Sequence, residues 1–278
     1  MQRHFHEELD ALKQTLLAMG GLVEDQIRRV MRALLERDSD LAQEVIDRDR
    51  QVNAYDVEID EKCVELLALH QPTAGDLRFI TTAMKIVTDL ERIGDQAVNI
   101  AQRTIELNPE PQLKPYVDLP RMAEKAQRMV KESLDAFVSR DTELARRVCG
   151  EDADVDALKE QIFRELLTYM MEDPKTIPRA IRLILVSRFL ERVADHATNI
   201  AGDGGLPGRE QDGSPHARVT RGPARPREPR SRRLAATLSR AGPESEPAPP
   251  GSRDPPLPGA ARPPDGSGGW SRAPPDRR

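Results

Sequence analysis

LERIGDQAVNIA at residues 90–101 and LERVADHATNIA at residues 190–201 agree at eight of twelve positions. Agreement this dense at an offset of 100, inside segments of matching helical spacing, signals an internal duplication. Upstream of the first copy, Leu77, Ile80, Met84, Val87, Glu91, Val98 and Ile105 trace a helical stripe, and Thr73 stands where its cap belongs. Further back, Leu41, Val45, Val52, Tyr55, Ile59, Cys63 and Leu66 predict a helix that ends at Gln71-Pro72, with a kink near Asp49. The start of the chain steps by three and four through Phe5, Leu9, Leu12, Leu16, Met19, Val23, Ile27, Val30 and Leu34, which predicts one long helix with a single buried stripe. Arg37-Asp38-Ser39 interrupts it with capping residues, and Gly20-Gly21 within it suits close approach of another helix.

The second half repeats this arrangement. At an offset of 103, Asp38, Leu41, Ala42, Val45 and Val52 return as Asp141, Leu144, Ala145, Val148 and Val155. The sequence therefore predicts an all-α protein of two repeated three-helix bundles, residues 1–106 and 121–202. Between them Pro109, Pro111, Pro115 and Pro120 mark a linker over residues 107–120. Gly202-Asp203-Gly204-Gly205 is expected to stop the last helix at once.

Composition narrows the function. Aromatic residues are 3% and charged residues 32% of 278, a balance suited to long amphipathic helices. The formal charge of −5 is unevenly spread: residues 203–278 hold 14 Arg, no Lys and 9 acidic residues, leaving 28 basic against 38 acidic residues before them. An acidic helical part argues against nucleic acid as the main partner and is compatible with cations. No run of eighteen apolar residues and no signal-peptide pattern occurs, and Cys63 and Cys149 form no CxxC, so a soluble cytoplasmic protein is expected. No phosphate-cradling loop or nucleophile elbow is present, and no catalytic constellation is expected.

Glu91, Asp95 and Asn99 lie at i, i+4 and i+8, and Glu191, Asp195 and Asn199 repeat the pattern. All three therefore share one helix face. Paired carboxylates on a partly buried face repel each other unless compensated. A hard cation such as iron, manganese, zinc or magnesium would compensate them, as would Arg92, Arg78 or Arg182 in ordinary salt bridges. Asp49 and Asp152 are equivalent in the two copies and either add oxygen ligands or cap kinked helices. Only His196 lies near the carboxylates, displaced from their face, which weakens a carboxylate-metal oxidase; a metal-free helical scaffold is the other alternative.

Several stretches together resemble the PhoU proteins that accompany bacterial phosphate ABC transporters: MGGLVE at 19–24, QPTAGDLR at 71–78, LERIGD at 90–95, LLTYMMEDP at 166–174, TIP at 176–178 and ERVADHATNI at 191–200. The likeness spans roughly residues 4–202. It implies six helices in two bundles, an ExxxD motif in each that some members use for metal clusters, and a homodimer. It also implies a negative regulator of phosphate uptake that passes phosphate sufficiency from the transporter ATPase to a phosphate-sensing histidine kinase, reaching the membrane only through these partners. Residues 203–278 depart from the family. They hold 16 of the 23 prolines, cannot build an amphipathic core and are expected to be disordered, the product of reading a GC-rich gene out of frame. An evolved basic tail that binds acidic lipid or nucleic acid is the alternative.

Overall fold

The computed structural model describes residues 2–205, with side chains over 4–204, so the expectations for the tail past Gly205 lie outside the described residues. Six helices follow one another: α1 (Gln2–Glu36), α2 (Ser39–His70), α3 (Ala74–Leu107), α4 (Asp118–Ser139), α5 (Thr142–Glu172) and α6 (Ile177–Gly205), the last preceded by a 3₁₀ turn at Pro174–Thr176. Helices α1–α3 form the first bundle and α4–α6 the second.

The duplicated turn between the first two helices of each bundle shows how local sequence sets the fold. Arg37 and Arg140 both adopt φ 58° and end α1 and α4. The next residue, Asp38 or Asp141, donates its backbone N–H to Ala33 O or Ala136 O at 2.9 Å, the closing bond of a left-handed helix end. The same aspartate then caps the following helix: Asp38 Oδ1 accepts from Leu41 N, and Asp141 Oδ1 from Glu143 N and Leu144 N. At Thr73 the hydroxyl donates instead to Asp76 Oδ2 at 2.9 Å and makes no bond to the backbone.

Three expectations are corrected. Helices α2 and α5 run unbroken through Asp49 and Asp152, so neither residue is a cap. Pro120 lies in the first turn of α4, where a missing N–H leaves no intrahelical bond unmade. And α6 continues through Gly202, Asp203 and Gly204. Glycine weakens a helix by about 1 kcal/mol, but packing favours it here: a Cβ on Gly204 would come within 2.7 Å of the Phe137 ring.

The bundles lie side by side, with α3 along α6 and α1 against α4. Helix α3 faces α1, α2 and α6. Its buried surface is correspondingly wider than one stripe, including Ile80, Ala83, Ile86, Val87, Leu90, Ile93, Ala97 and Ile100, whereas Leu77 is exposed and Glu91 and Val98 are half-buried. Each large aliphatic side chain so buried contributes about 1.5–3 kcal/mol before entropy is counted. Where α1 meets α4, Gly20 is the close-approach residue, since a Cβ there would collide with Leu134 Cδ1; at Gly21 nothing lies within 4 Å. Phe79 and Phe137 stack with centroids 4.6 Å apart. One buried polar pair crosses between the bundles, His196 Nδ1 to Asp89 Oδ1 at 2.9 Å. Lys114, buried in the linker, pairs with Glu165 of α5.

Candidate metal centre

In the first bundle Glu91 and Asp95 stand on successive turns of α3, on the side that meets α2. Burial first, and then the charges of Asp95, Asp56 and Asp49, push the Glu91 carboxyl above the ordinary carboxylate range, with Arg92 opposing. The Asp49 carboxyl is likewise raised, by burial and then by Asp95. Asn53 Nδ2 donates to Asp49 Oδ2 at 3.0 Å. Below this group lies Gln26 of α1, 1% exposed, with neither Oε1 nor Nε2 hydrogen-bonded. It approaches Asp49 closely enough to ease its ionisation but falls short of hydrogen-bond geometry. Gly94 leaves room for both, since a Cβ there would stand 3.2 Å from Asp49 Oδ1 and 3.4 Å from Gln26 Oε1.

The second bundle repeats the group with altered charge. Burial and then Asp152 and Glu191 raise the Asp195 carboxyl, while burial followed by Asp156 and Glu191 raises Asp152, with Lys159 opposing. The Lys159 ammonium donates to Glu191 Oε1 at 2.7 Å and lies 3.4 Å from Asp156 Oδ1. No Lys or Arg stands within salt-bridge distance of Glu91 or Asp49 among the described residues.

The structure thus gathers Glu91, Asp95 and Asp49 in one copy, and Glu191, Asp195 and Asp152 in the other. Asn99 is half-buried and Asn199 exposed. Of the arginines considered as neutralisers, Arg182 bonds Glu106 and Glu110, while Arg92 reaches towards Asp89 and also eases the ionisation of Glu91. His196 is held by Asp89, and its charge eases the ionisation of Asp195. Sequence reasoning missed Asp56, Asp156, Lys159 and Gln26. Carrying the offset of 103 past Val52 would have paired Asn53 with Asp156 and Asp56 with Lys159.

Among the described residues no three His, Cys, Asp or Glu side chains converge closely enough to enclose an ion. In kind, however, the first group fits a hard cation. Its donors are all oxygens, one carboxamide oxygen is buried without a partner, and like charges are held together on fixed helices.

Fold and site define a class: a duplicated three-helix-bundle protein carrying a carboxylate group in each copy. The chain belongs to the PhoU family, whose PhoU domain matches residues 16–104 and 119–203, one match per bundle. It is 46% identical over 202 residues to the phosphate-specific transport system accessory protein PhoU homolog of Pseudomonas aeruginosa, covering 72% of this chain and 84% of that protein. To PhoU of Escherichia coli K12 it is 39% identical over 196 residues, covering 70% and 81%. A crystal structure of PhoU from Pseudomonas aeruginosa superposes with a TM-score of 0.69 at 46% identity, over 72% of this chain and 96% of that one. The phosphate transport system regulatory protein PhoU from Streptococcus pneumoniae gives 0.67 at 31% identity, over 72% and 94%. No helix among the described residues is long and apolar enough to cross a membrane.

Proposed function

We propose that this chain is a non-catalytic regulator of phosphate transport, restraining uptake and the phosphate-starvation response as an adaptor between the phosphate ABC transporter ATPase and a phosphate-sensing histidine kinase. The observation that carries this reading is 46% identity, across both bundles, to a protein named as an accessory of the phosphate-specific transport system. An adaptor needs helical surfaces rather than a reaction centre. Phe163, Leu167 and Met171 offer one at i, i+4 and i+8 of α5, exposed by 47%, 41% and 78%. A cytoplasmic homodimer belongs to the same reading. The carboxylate groups would hold a hard cation, iron, manganese, zinc or magnesium, as a structural or sensing element: Glu91, Asp95 and Asp49 in the first bundle, Glu191, Asp195 and Asp152 in the second, with Asn99 and Asn199 at their margins. Such an ion would supply positive charge that lets the half-buried Glu91, Asp49, Glu191 and Asp152 stay ionised beside the exposed Asp95 and Asp195. Deleting the gene should raise expression of phosphate-starvation genes in phosphate-rich medium, and restoring it should return them to the repressed level. Unchanged expression in the deletion strain would overturn the adaptor reading.

A further inference from the structure

The corner where α3 ends and the corner where α6 ends are built from equivalent elements. Beside the end of α3 stand the turn between α1 and α2 and the start of α6; beside the end of α6 stand the turn between α4 and α5 and the start of α3. At the first corner three arginines hold the segment that leaves α3. Arg37 donates to the carbonyls of Asn108 and Glu110, and Arg179 Nη1 donates to the Pro111 carbonyl at 2.9 Å. Arg182 pairs with Glu106 at 3.1 Å and with Glu110 at 2.7 Å. An acidic stretch with two prolines, outside any helix, is thus clasped through its carbonyl and carboxylate oxygens.

The second corner has the arginines without the clasp. Arg140, at the same turn position as Arg37, and Arg78, near the start of α3, line a pocket of about 450 Å³ whose floor includes the stacked Phe79 and Phe137. Both arginines are exposed, and neither makes a hydrogen bond or ion pair among the described residues. The carboxylate on the lining, Asp203, lies 3.8 Å from Lys85 Nζ and so leaves the two guanidinium groups uncompensated. Ala74 and Gly75 line the same pocket in the first turn of α3, whose N–H groups receive no bond from the Thr73 side chain.

We propose that this pocket docks an acidic peptide segment of a partner protein, taken up as the linker is taken up at the first corner. Its carboxylate and carbonyl oxygens meet Arg78 and Arg140, and an apolar side chain lies towards Phe79 and Phe137. Charge favours a partner over the rest of this chain, since residues 203–278 hold 14 Arg against 9 acidic residues. The surface is separate from the Phe163, Leu167 and Met171 face, and the inference does not rest on the adaptor reading.

The probe is a fluorescein-labelled peptide with the sequence of residues 106–113, ELNPEPQL, titrated with the full chain and followed by fluorescence anisotropy. The wild-type chain should bind it. R78Q and R140Q should each weaken binding about tenfold, and the double variant should abolish it. R78K and R140K, which keep the charge but not the forked donor geometry, should recover part of the loss, and circular dichroism melts confirm that all variants fold. The same peptide with both glutamates replaced by glutamine should not bind, and inorganic phosphate at constant ionic strength should not displace the acidic one. No binding by the wild-type chain overturns the proposal, as does binding indifferent to both arginines or to the peptide's charge. Displacement by phosphate also overturns it, since the pocket would then be a small-anion site.

Discussion

Glu91 and Glu191 occupy the same turn of duplicated helices, yet one faces three aspartates alone and the other shares its aspartates with a lysine. The contrast teaches that duplication has preserved the face of each helix more strictly than the charges presented to it. The bundle core needs its apolar positions to keep their spacing, whereas a half-buried acid tolerates any neighbour that limits its repulsion. The interface between the copies shows the same divergence. Asp89 and His196 form its buried polar pair, while their counterparts at an offset of 100 are Phe189 and Gln96.

The largest expected effect in breaking this symmetry lies at that pair. Truncating either partner leaves the other buried without its hydrogen bond, so D89A and H196A should each destabilise by about 2 kcal/mol. The double variant should cost clearly less than the two losses combined, because the second truncation removes the orphan left by the first. Urea titrations of the four proteins measure the coupling. Strict additivity would mean that the 2.9 Å contact contributes nothing beyond packing.

A smaller effect, of opposite sign in the two copies, is expected at the glutamates without added metal. E191Q removes a half-buried charge pair with Lys159 and should destabilise by about 1 kcal/mol. E91Q removes repulsion and should stabilise by roughly 0.5–1 kcal/mol. The sign with pH follows from the raised Glu91 carboxyl. Such a group is protonated in folded and unfolded chains alike at low pH, and it penalises folding as pH climbs through its raised folded value. The gain from E91Q should therefore be full at neutral pH and vanish on acidification into the ordinary carboxylate range. Melts of both variants at several pH values check this, and a shared sign would show that the copies are electrostatically equivalent.

The duplication, the helix order and the ExxxD faces were legible because helical period and repeat offset are properties of sequence alone. What sets the electrostatics was not. Asp56 and Lys159 lie on charged stretches of α2 and α5 that read as solvated surface, and only the way these helices turn against α3 and α6 brings them to Glu91 and Glu191. Asp49 and Asp152 read locally as caps because aspartate has that use, but the unbroken helices give them a tertiary one. The three glycines after Ala201 and Arg182 misled in a similar way: a local preference was overridden by the Phe137 ring in one case and by acids at the end of α3 and in the linker in the other.

The smallest effect sharpens the comparison at the duplicated turns. Arg37 and Arg140 hold the same φ of 58°, a region that costs a residue with a Cβ about 1–2 kcal/mol relative to glycine. Replacement by glycine relieves that strain but gives the unfolded chain more freedom, returning about 0.4–1 kcal/mol of it. At Arg140, whose side chain is exposed and makes no hydrogen bond among the described residues, relief should win, and R140G should stabilise by about 0.5 kcal/mol. At Arg37 the guanidinium donates to the carbonyls of Asn108 and Glu110, tying the first turn to the start of the linker. Losing two such bonds at an exposed site outweighs the relief, so R37G should destabilise by about 0.5 kcal/mol. Thermal melts of the two variants, compared with R37K and R140K to keep the charge and the Cβ, separate backbone strain from lost contacts. If both glycine variants stabilise, the Arg37 bonds to the linker carry no net energy, and the two turns are equivalent in energy as well as in shape.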